Sequence, residues 1–248
     1  MSDTVLQTSL DGVTLLTLNR PHKKNAFNGE QWLALTAAFD AAREDDAVGC
    51  LVVTGAGNAF SAGQDLTEMS GEGGSGAAFP RFMEALVAYD KPLVAAVNGV
   101  GVGIGATLPL HCDVVYVGES ARLRFPFSAL GLVPEAASSL LLPLVVGPQR
   151  AAEIFFTSEW IDAPRAVELG LAARMLPDAE LVDATLEKAR EIAARPVGSL
   201  RAIKRLLLEA RGNSVRETLD REMQSMAARV GTPENLQALK DFFAKGGR

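Results

Sequence analysis

The 248-residue chain reads as an α/β protein, and three observations carry that reading. Cys50–Thr54, Leu93–Val97 and Val114–Val117 are short, continuously apolar runs, with the length and composition of buried strands. Helix-compatible segments lie between them, the alternation expected of an α/β fold. From Gln149 onward the pattern is mostly helical, so the strand-bearing part ends well before the C-terminus. The length suits one domain, or one domain with an appended helical piece. Pro196 marks the boundary, giving residues 1–195 as the core and 196–248 as a C-terminal helical region.

Apolar residues make up 48% of the chain, enough for a substantial core. A net charge of -6 argues against a nucleic-acid partner, which needs a basic face. It leaves room for an anionic small ligand, which needs only a local cluster of cations. His22 and His111 are the two histidines, and no Cys/His spacing resembles a metal site, so none is expected. Cys50 and Cys112 adjoin apolar runs and read as reduced core residues. The N-terminus lacks a basic region followed by an apolar run. No apolar span approaches the ~20 residues that cross a bilayer, so a cytoplasmic protein without a membrane partner is expected.

In chain order, Val13–Asn19 reads as a strand paired with 4–8 across Asp11-Gly12. Arg20-Pro21 stops it. Arg20, Lys23 and Lys24 then form the tight basic cluster of the N-terminal half, which on residues alone is a solvated loop. Asn28 caps a helix over 29–43 with Trp32, Leu35, Thr36 and Phe39 inward. After the strand at Cys50, Ala62-Gly63 place small residues where backbone N–H groups are left accessible. Asp65 fits a turn-stabilising carboxylate better than a catalytic one. Residues 70–78 are rich in Gly and Ser and are expected to be mobile, as a lid or pocket rim is. A helix over 77–90 leads to the strand at Leu93.

Asn98 to Asp113 is the densest motif, with glycines at 99, 101, 103 and 105 before a helix expected over 103–111. A glycine-rich turn opening a helix presents free N–H groups to a phosphate or an oxyanion. Gly101 to Ala106 fits G-x-G-x-x-G/A formally, but the following helix is short and Glu119 comes too early for the ribose-binding acid of a dinucleotide site. A helix is expected over 134–146, started by Pro134 and stopped at Gly147-Pro148. Glu135 then falls in its first turn, where the helix dipole would lower its pKa. Burial amid apolar sequence would raise it toward the range useful for proton transfer. The residues alone leave both accounts standing. Further helices are expected over 150–158, 163–169, 181–194, 198–210, 214–229 and 233–243, with a strand within 171–176.

Taken together, these stretches resemble the crotonase (enoyl-CoA hydratase/isomerase) superfamily over nearly the whole chain. The resemblance rests on Arg20-Pro21 with Asn25-Ala26, on Phe60 to Leu66, and on Ala96-Val97-Asn98-Gly99 with its glycine run. Cys112-Asp113, Phe125-Pro126, Leu130-Gly131-Leu132 and Ala166-x-x-x-Gly170-Leu171 extend it. It implies a crotonase-like spiral of repeated ββα units with C-terminal helices that build a homotrimer or a dimer of trimers. It also implies an acyl-CoA thioester substrate whose carbonyl oxygen is held by two backbone N–H groups, here matching Ala62 and Ile104. The basic cluster becomes a contact for CoA phosphates, while Asn25, Ala26, Gln64, Asp65 and Leu66 resemble the adenine and pantetheine wall. No cofactor is implied, since CoA is part of the substrate.

Hydratases resembling this chain carry two glutamates where this sequence has Thr107 and Phe127, neither of which can move a proton near neutrality. Val133-Pro134-Glu135 instead resembles Δ3,Δ2-enoyl-CoA isomerases of peroxisomal type, with Pro126-Phe127-Ser128 and Ser138-Ser139 in support. The resemblance therefore favours Glu135 as the catalytic acid/base of an isomerase. A hydratase, another crotonase reaction using Glu68 or Glu72, and a non-catalytic acyl-CoA-binding protein are the alternatives.

Overall fold

A computed structural model describes residues 3–65, 77–210 and 214–244. The expected hairpin forms: β1 (Val5–Leu10) pairs antiparallel with β2 (Val13–Leu18), with Asp11 and Gly12 both at positive φ in the turn. In α1 (Gly29–Glu44), the Asn28 side chain accepts the Gln31 N–H at 2.9 Å, and Trp32, Leu35, Thr36 and Phe39 are buried.

The chain then repeats one pattern. β3 (Cys50–Gly55) is followed by β4 (Ala59–Ser61) and, after residues 66–76, by α2 (Ala78–Ala88). β5 (Leu93–Val97) is followed by β6 (Val100–Val102) and α3 (Ile104–Thr107), and β7 (Val114–Gly118) by β8 (Arg122–Arg124) and α4 (Ser138–Val146). After α5 (Pro148–Thr157) come β9 (Trp160–Asp162), α6 (Ala163–Glu168), β10 (Arg174–Leu176) and α7 (Leu181–Ala193). One sheet has the order β1-β2-β3-β5-β7-β10 and the other β4-β6-β8-β9. β3, β5 and β7 pair parallel in the first, as β4, β6 and β8 do in the second. Each turn of the chain thus adds one strand to each sheet, beside its counterpart from the turn before. This is a crotonase-like spiral of ββα units.

Register explains the buried runs. Leu16, Val53, Ala95 and Val115 align across the large sheet and enter the main core. Their neighbours Val52 and Val94 point to the opposite face, where Ala189 of α7 covers them. Both faces are covered at β3, β5 and β7, so these strands are buried and apolar at nearly every position. The helices α8 (Val197–Glu209), α9 (Ser214–Arg229) and α10 (Pro233–Ala244) follow Pro196. Lys204 reaches back to Asp113 at 2.6 Å, and Arg201 and Arg205 reach Asp90 at 3.1 and 2.8 Å, fastening α8 to the core.

Two expected helices differ in ways that matter for the site. The helix expected over 103–111 is α3 followed by a 3-10 turn at Leu108–His111. Pro109, near the start of that turn, has no N–H to continue the α-helical ladder. The helix expected to start at Pro134 starts instead at Ser138, because Ala136 and Ala137 are left-handed, with φ of 55° and 56°. Glu135 therefore precedes the helix and does not sit in its first turn. The strand within 171–176 is confined to Arg174–Leu176. Among the described residues, no helix is long and apolar enough to cross a membrane.

Candidate active site

Three loops converge beyond the ends of β4 and β6. Gly63 has φ of 94°, and a side chain there would meet the Val102 carbonyl at 2.8 Å. Gly103 has φ of 54°, and its missing side chain would begin 4.0 Å from the Gly63 Cα and 3.7 Å from Glu135 Oε1. Glycine at both positions lets the two backbones meet, with the Glu135 carboxyl beside them. The structure thus brings Glu135 and the glycine-rich turn together.

Ile104 opens α3, and its N–H has no backbone partner among the described residues. That fits the donor expected at this position. The other expected donor is corrected. Ala62 N–H is already given to the Lys24 carbonyl at 2.8 Å. Phe27 bridges Gln64 in parallel register, donating to the Gly63 carbonyl and accepting from Asp65 N–H, both at 2.8 Å. The Gln64 N–H between them faces the other way and has no partner among the described residues. The Gln64 side chain accepts the Trp32 indole N–H at 3.0 Å, so it turns inward and leaves its backbone outermost. Gln64 replaces Ala62 as the available first donor. The signal was the parity of the strand-like stretch, which sequence alone does not fix.

The proposed CoA contacts divide into scaffold and surface. Arg20 pairs with Asp65 at 3.0 Å, with 12% and 7% of the side chains exposed, and also donates to the Ala26 carbonyl. The pair fastens this loop, so Arg20 and Asp65 serve the scaffold here before any contact with a ligand. Asn25 is fully buried, donating to the Ala56 and Ala59 carbonyls at 2.9 and 2.7 Å and accepting the Arg20 N–H at 2.9 Å. It shapes the loop rather than touching a ligand, and Ala26 is buried beside it. Lys23 and Lys24 are exposed, and of the basic cluster they are the cations left to meet a phosphate. Leu66, Glu68 and Glu72, and most of the expected lid at 70–78, lie outside the described residues.

Glu135 sits at the mouth of an unusual turn. Its carbonyl accepts the Ser138 N–H at 3.0 Å, and the left-handed Ala136 and Ala137 between them cost roughly 1–2 kcal/mol each. Two side chains that sequence reading missed hold this turn. His111 Nε2 donates to the Ala136 carbonyl at 2.8 Å. Glu222 of α9 accepts N–H groups from Ala137 and Ser139 at 2.7 and 2.9 Å, and the Ser139 hydroxyl at 2.5 Å. Nothing in the sequence separates Glu222 from the other charges of its helix. Burial, and secondarily the charge of Glu222, push the Glu135 carboxyl up to about 7. Part of its surface stays accessible, as a group that exchanges protons with a ligand requires. Thr107 and Phe127 are both buried, so the hydratase-type acids are replaced here by a hydroxyl and a ring.

The same combination of fold and loops occurs in known proteins. The profile of the enoyl-CoA hydratase/isomerase family matches residues 8–245. The chain is 35% identical to 1,2-epoxyphenylacetyl-CoA isomerase of Escherichia coli (strain K12), covering 99% of this chain and 97% of the relative. It is 33% identical to enoyl-CoA delta isomerase 2 of Rattus norvegicus, over 97% of this chain and 63% of the rat protein. A crystal structure of an enoyl-CoA hydratase/isomerase from Pseudoalteromonas atlantica T6c superposes with a TM-score of 0.94 at 37% identity, covering 98% and 97% of the two chains. The spiral, the paired glycine loops and these matches over the full length place the chain in the enoyl-CoA hydratase/isomerase family of the crotonase superfamily.

Proposed function

We propose that this acyl-CoA enzyme moves the double bond of a 3-enoyl-CoA to the trans-2 position, with Glu135 as its single acid/base. One observation carries the proposal: Glu135 Oε1 stands 3.7 Å from the side-chain position of Gly103, the residue before the Ile104 donor. A base and an oxyanion donor thus share one spot. The thioester oxygen rests on the N–H groups of Gln64 and Ile104. Glu135 takes a C2 proton, and the C2–H bonding electrons form a C1–C2 double bond as the carbonyl pair moves onto the thioester oxygen. This gives a dienolate conjugated with the C3–C4 double bond and held by those donors. The same carboxyl returns the proton to C4, leaving the double bond between C2 and C3. A carboxyl near 7 suits both directions of transfer at neutral pH. Lys23 and Lys24 meet the CoA phosphates, and the reaction uses no further cofactor.

The test is conversion of trans-3-hexenoyl-CoA to its trans-2 isomer, wild type beside Glu135→Gln. Hydration of crotonyl-CoA and turnover of 1,2-epoxyphenylacetyl-CoA, the substrate in the name of the E. coli relative, are followed in parallel. Isomerisation is expected to dominate and to fall by about 10³-fold or more in the variant. Dominant hydration, or isomerisation indifferent to Glu135, sinks the assignment. The assembly proposed is a homotrimer or a dimer of trimers. It is supported by apolar side chains left open on the monomer, such as Phe156 at 80% and Leu206 at 66% exposure. Light scattering that returns a monomeric mass at micromolar concentration would refute it.

A further inference from the structure

Building on the reading of Glu135 as the acid/base, we propose that Glu222 is a positioning residue. From α9 it clamps the 136–139 turn and fixes where the Glu135 carboxyl stands over Gly103.

The geometry is that of a clamp with two jaws. Glu222 is 7% exposed and uses both carboxylate oxygens, Oε2 on Ala137 N–H and Oε1 on the N–H and hydroxyl of Ser139. His111 grips the same turn from the other side through the Ala136 carbonyl. Between the jaws lie two consecutive alanines in left-handed conformation, which an unheld backbone would abandon. Glu135 is the residue directly before them, so relaxation of the turn displaces its carboxyl from the two donors. A displacement on the order of 1 Å is enough to lower a rate about 100-fold.

A plain helix cap is the competing account, since Glu222 also satisfies N–H groups at the start of α4. A single amide or hydroxyl oxygen would cap one N–H of α4 without adding a second negative charge near Glu135, whereas Glu222 accepts through both of its oxygens. That charge is what a cap does not require, and it acts in the direction of keeping Glu135 protonated near neutrality. Glu222 is itself pushed up by burial, against the hydrogen bonds from Ser139 and Ala137 and the Arg221 charge beside it on α9. Arg221 also donates to Thr218 of α9 at 3.0 Å, and His111 is the titratable group facing the turn from the 3-10 segment. A clamp and a charge in one side chain couple the C-terminal helices to the chemistry of the core.

The experiment pairs Glu222→Gln, which removes the charge and replaces one of the two acceptor oxygens by an NH2 donor, with Glu222→Asp, which keeps the charge and both oxygens on a shorter arm. Two readouts are taken on folded protein. The first is the Glu135 pKa, from the pH dependence of the stability difference between each protein and its own Glu135→Gln derivative, which needs no turnover. The second is kcat and KM for the 3-enoyl substrate across pH. Glu222→Gln is expected to lower the Glu135 pKa by about one unit. It should cut kcat by about 10–100-fold and leave KM within about threefold, because the CoA contacts lie elsewhere. Glu222→Asp is expected to hold the pKa near 7 and to recover part of kcat. A Glu135 pKa still near 7 in folded Glu222→Gln, or an unchanged kcat, overturns the inference. If Glu222→Gln does not fold, Ser139→Ala serves: the charge stays, so kcat must fall while the pKa does not, and a wild-type kcat overturns the clamp. Absence of 3-enoyl turnover in the wild type sinks the isomerase reading alone, because the pKa arm still decides whether Glu222 acts on Glu135.

Discussion

The two sides of the site are built on opposite principles. The donor side is main chain: Gln64 and Ile104 present N–H groups that owe nothing to their side chains, on loops fastened by the Arg20–Asp65 pair and the buried Asn25. The carboxyl side depends on named side chains at every step, with Glu135 held through His111 and Glu222, the latter 85 residues from the N–H it binds on Ala137. The donor side should therefore tolerate changes of side chain at the donors and fail when its scaffold or backbone conformation changes. The carboxyl side should show the reverse.

The largest effect expected from that contrast is on stability. Arg20→Met removes the cation paired with Asp65, at 7% side-chain exposure, and is expected to cost about 3 kcal/mol in denaturant unfolding at pH 7. Next comes Glu135→Gln, whose effect depends on pH. Glu135 has a folded pKa of about 7, above the ordinary 4.5, so the native state binds its proton more tightly than the unfolded chain. Its stabilising contribution is fully present below about 4.5 and gone once the pH has risen through about 7. Glu135→Gln should therefore gain about 2–3 kcal/mol over wild type at pH 8 and almost nothing at pH 4.5. Equal differences at both pH values would mean that the carboxyl is not held in a desolvated place. A smaller effect is expected at the junction of the two sides. Gly103→Ala puts a methyl 3.7 Å from Glu135 Oε1 on a backbone at φ of 54°, and should lower kcat by about 10–100-fold. Ile104→Val, one residue on, should stay within about twofold, and a large loss there would break the claim that the donor is indifferent to its side chain.

Much of this was legible in the sequence, and the part that was not has a physical reason. The strands at Cys50, Leu93 and Val114 announce themselves because both faces of the sheet are covered there, making nearly every position apolar. The spiral leaves no repeat of side chains, because each turn meets different neighbours and only backbone pairing recurs. Glu135 stood out as a lone carboxylate amid apolar residues, yet its place before the helix did not. Two non-glycine residues at positive φ are what no propensity would place there. The choice of Gln64 over Ala62 turns on which way alternate N–H groups face, and a slip of register reverses that. Glu222 was invisible because its partners are brought to it by packing of α9 on α4, not by spacing.

The smallest effect separates the two kinds of cation in the N-terminal cluster. Arg20 is engaged with Asp65 and Ala26, whereas Lys23 and Lys24 are exposed on the 3-10 turn and its cap. The Lys24 contribution to the scaffold is its carbonyl, which accepts Ala62 N–H, so a change of side chain leaves that bond in place. Lys23→Met with Lys24→Met should raise KM for an acyl-CoA by about three- to tenfold while kcat and unfolding stay as in wild type, each exposed cation contributing up to about 1 kcal/mol. The difference from wild type should shrink as salt is raised, because the phosphate contact is screened. The same substrate reports on Arg20→Met, whose KM should stay near that of the wild type in protein that remains folded. A raised KM with unaltered unfolding in Arg20→Met would return Arg20 to the phosphate site and make the lysines bystanders. If the two cation classes separate in this way, the loop before α1 has one buried charge that builds the donor side and two open ones that recruit the ligand to it.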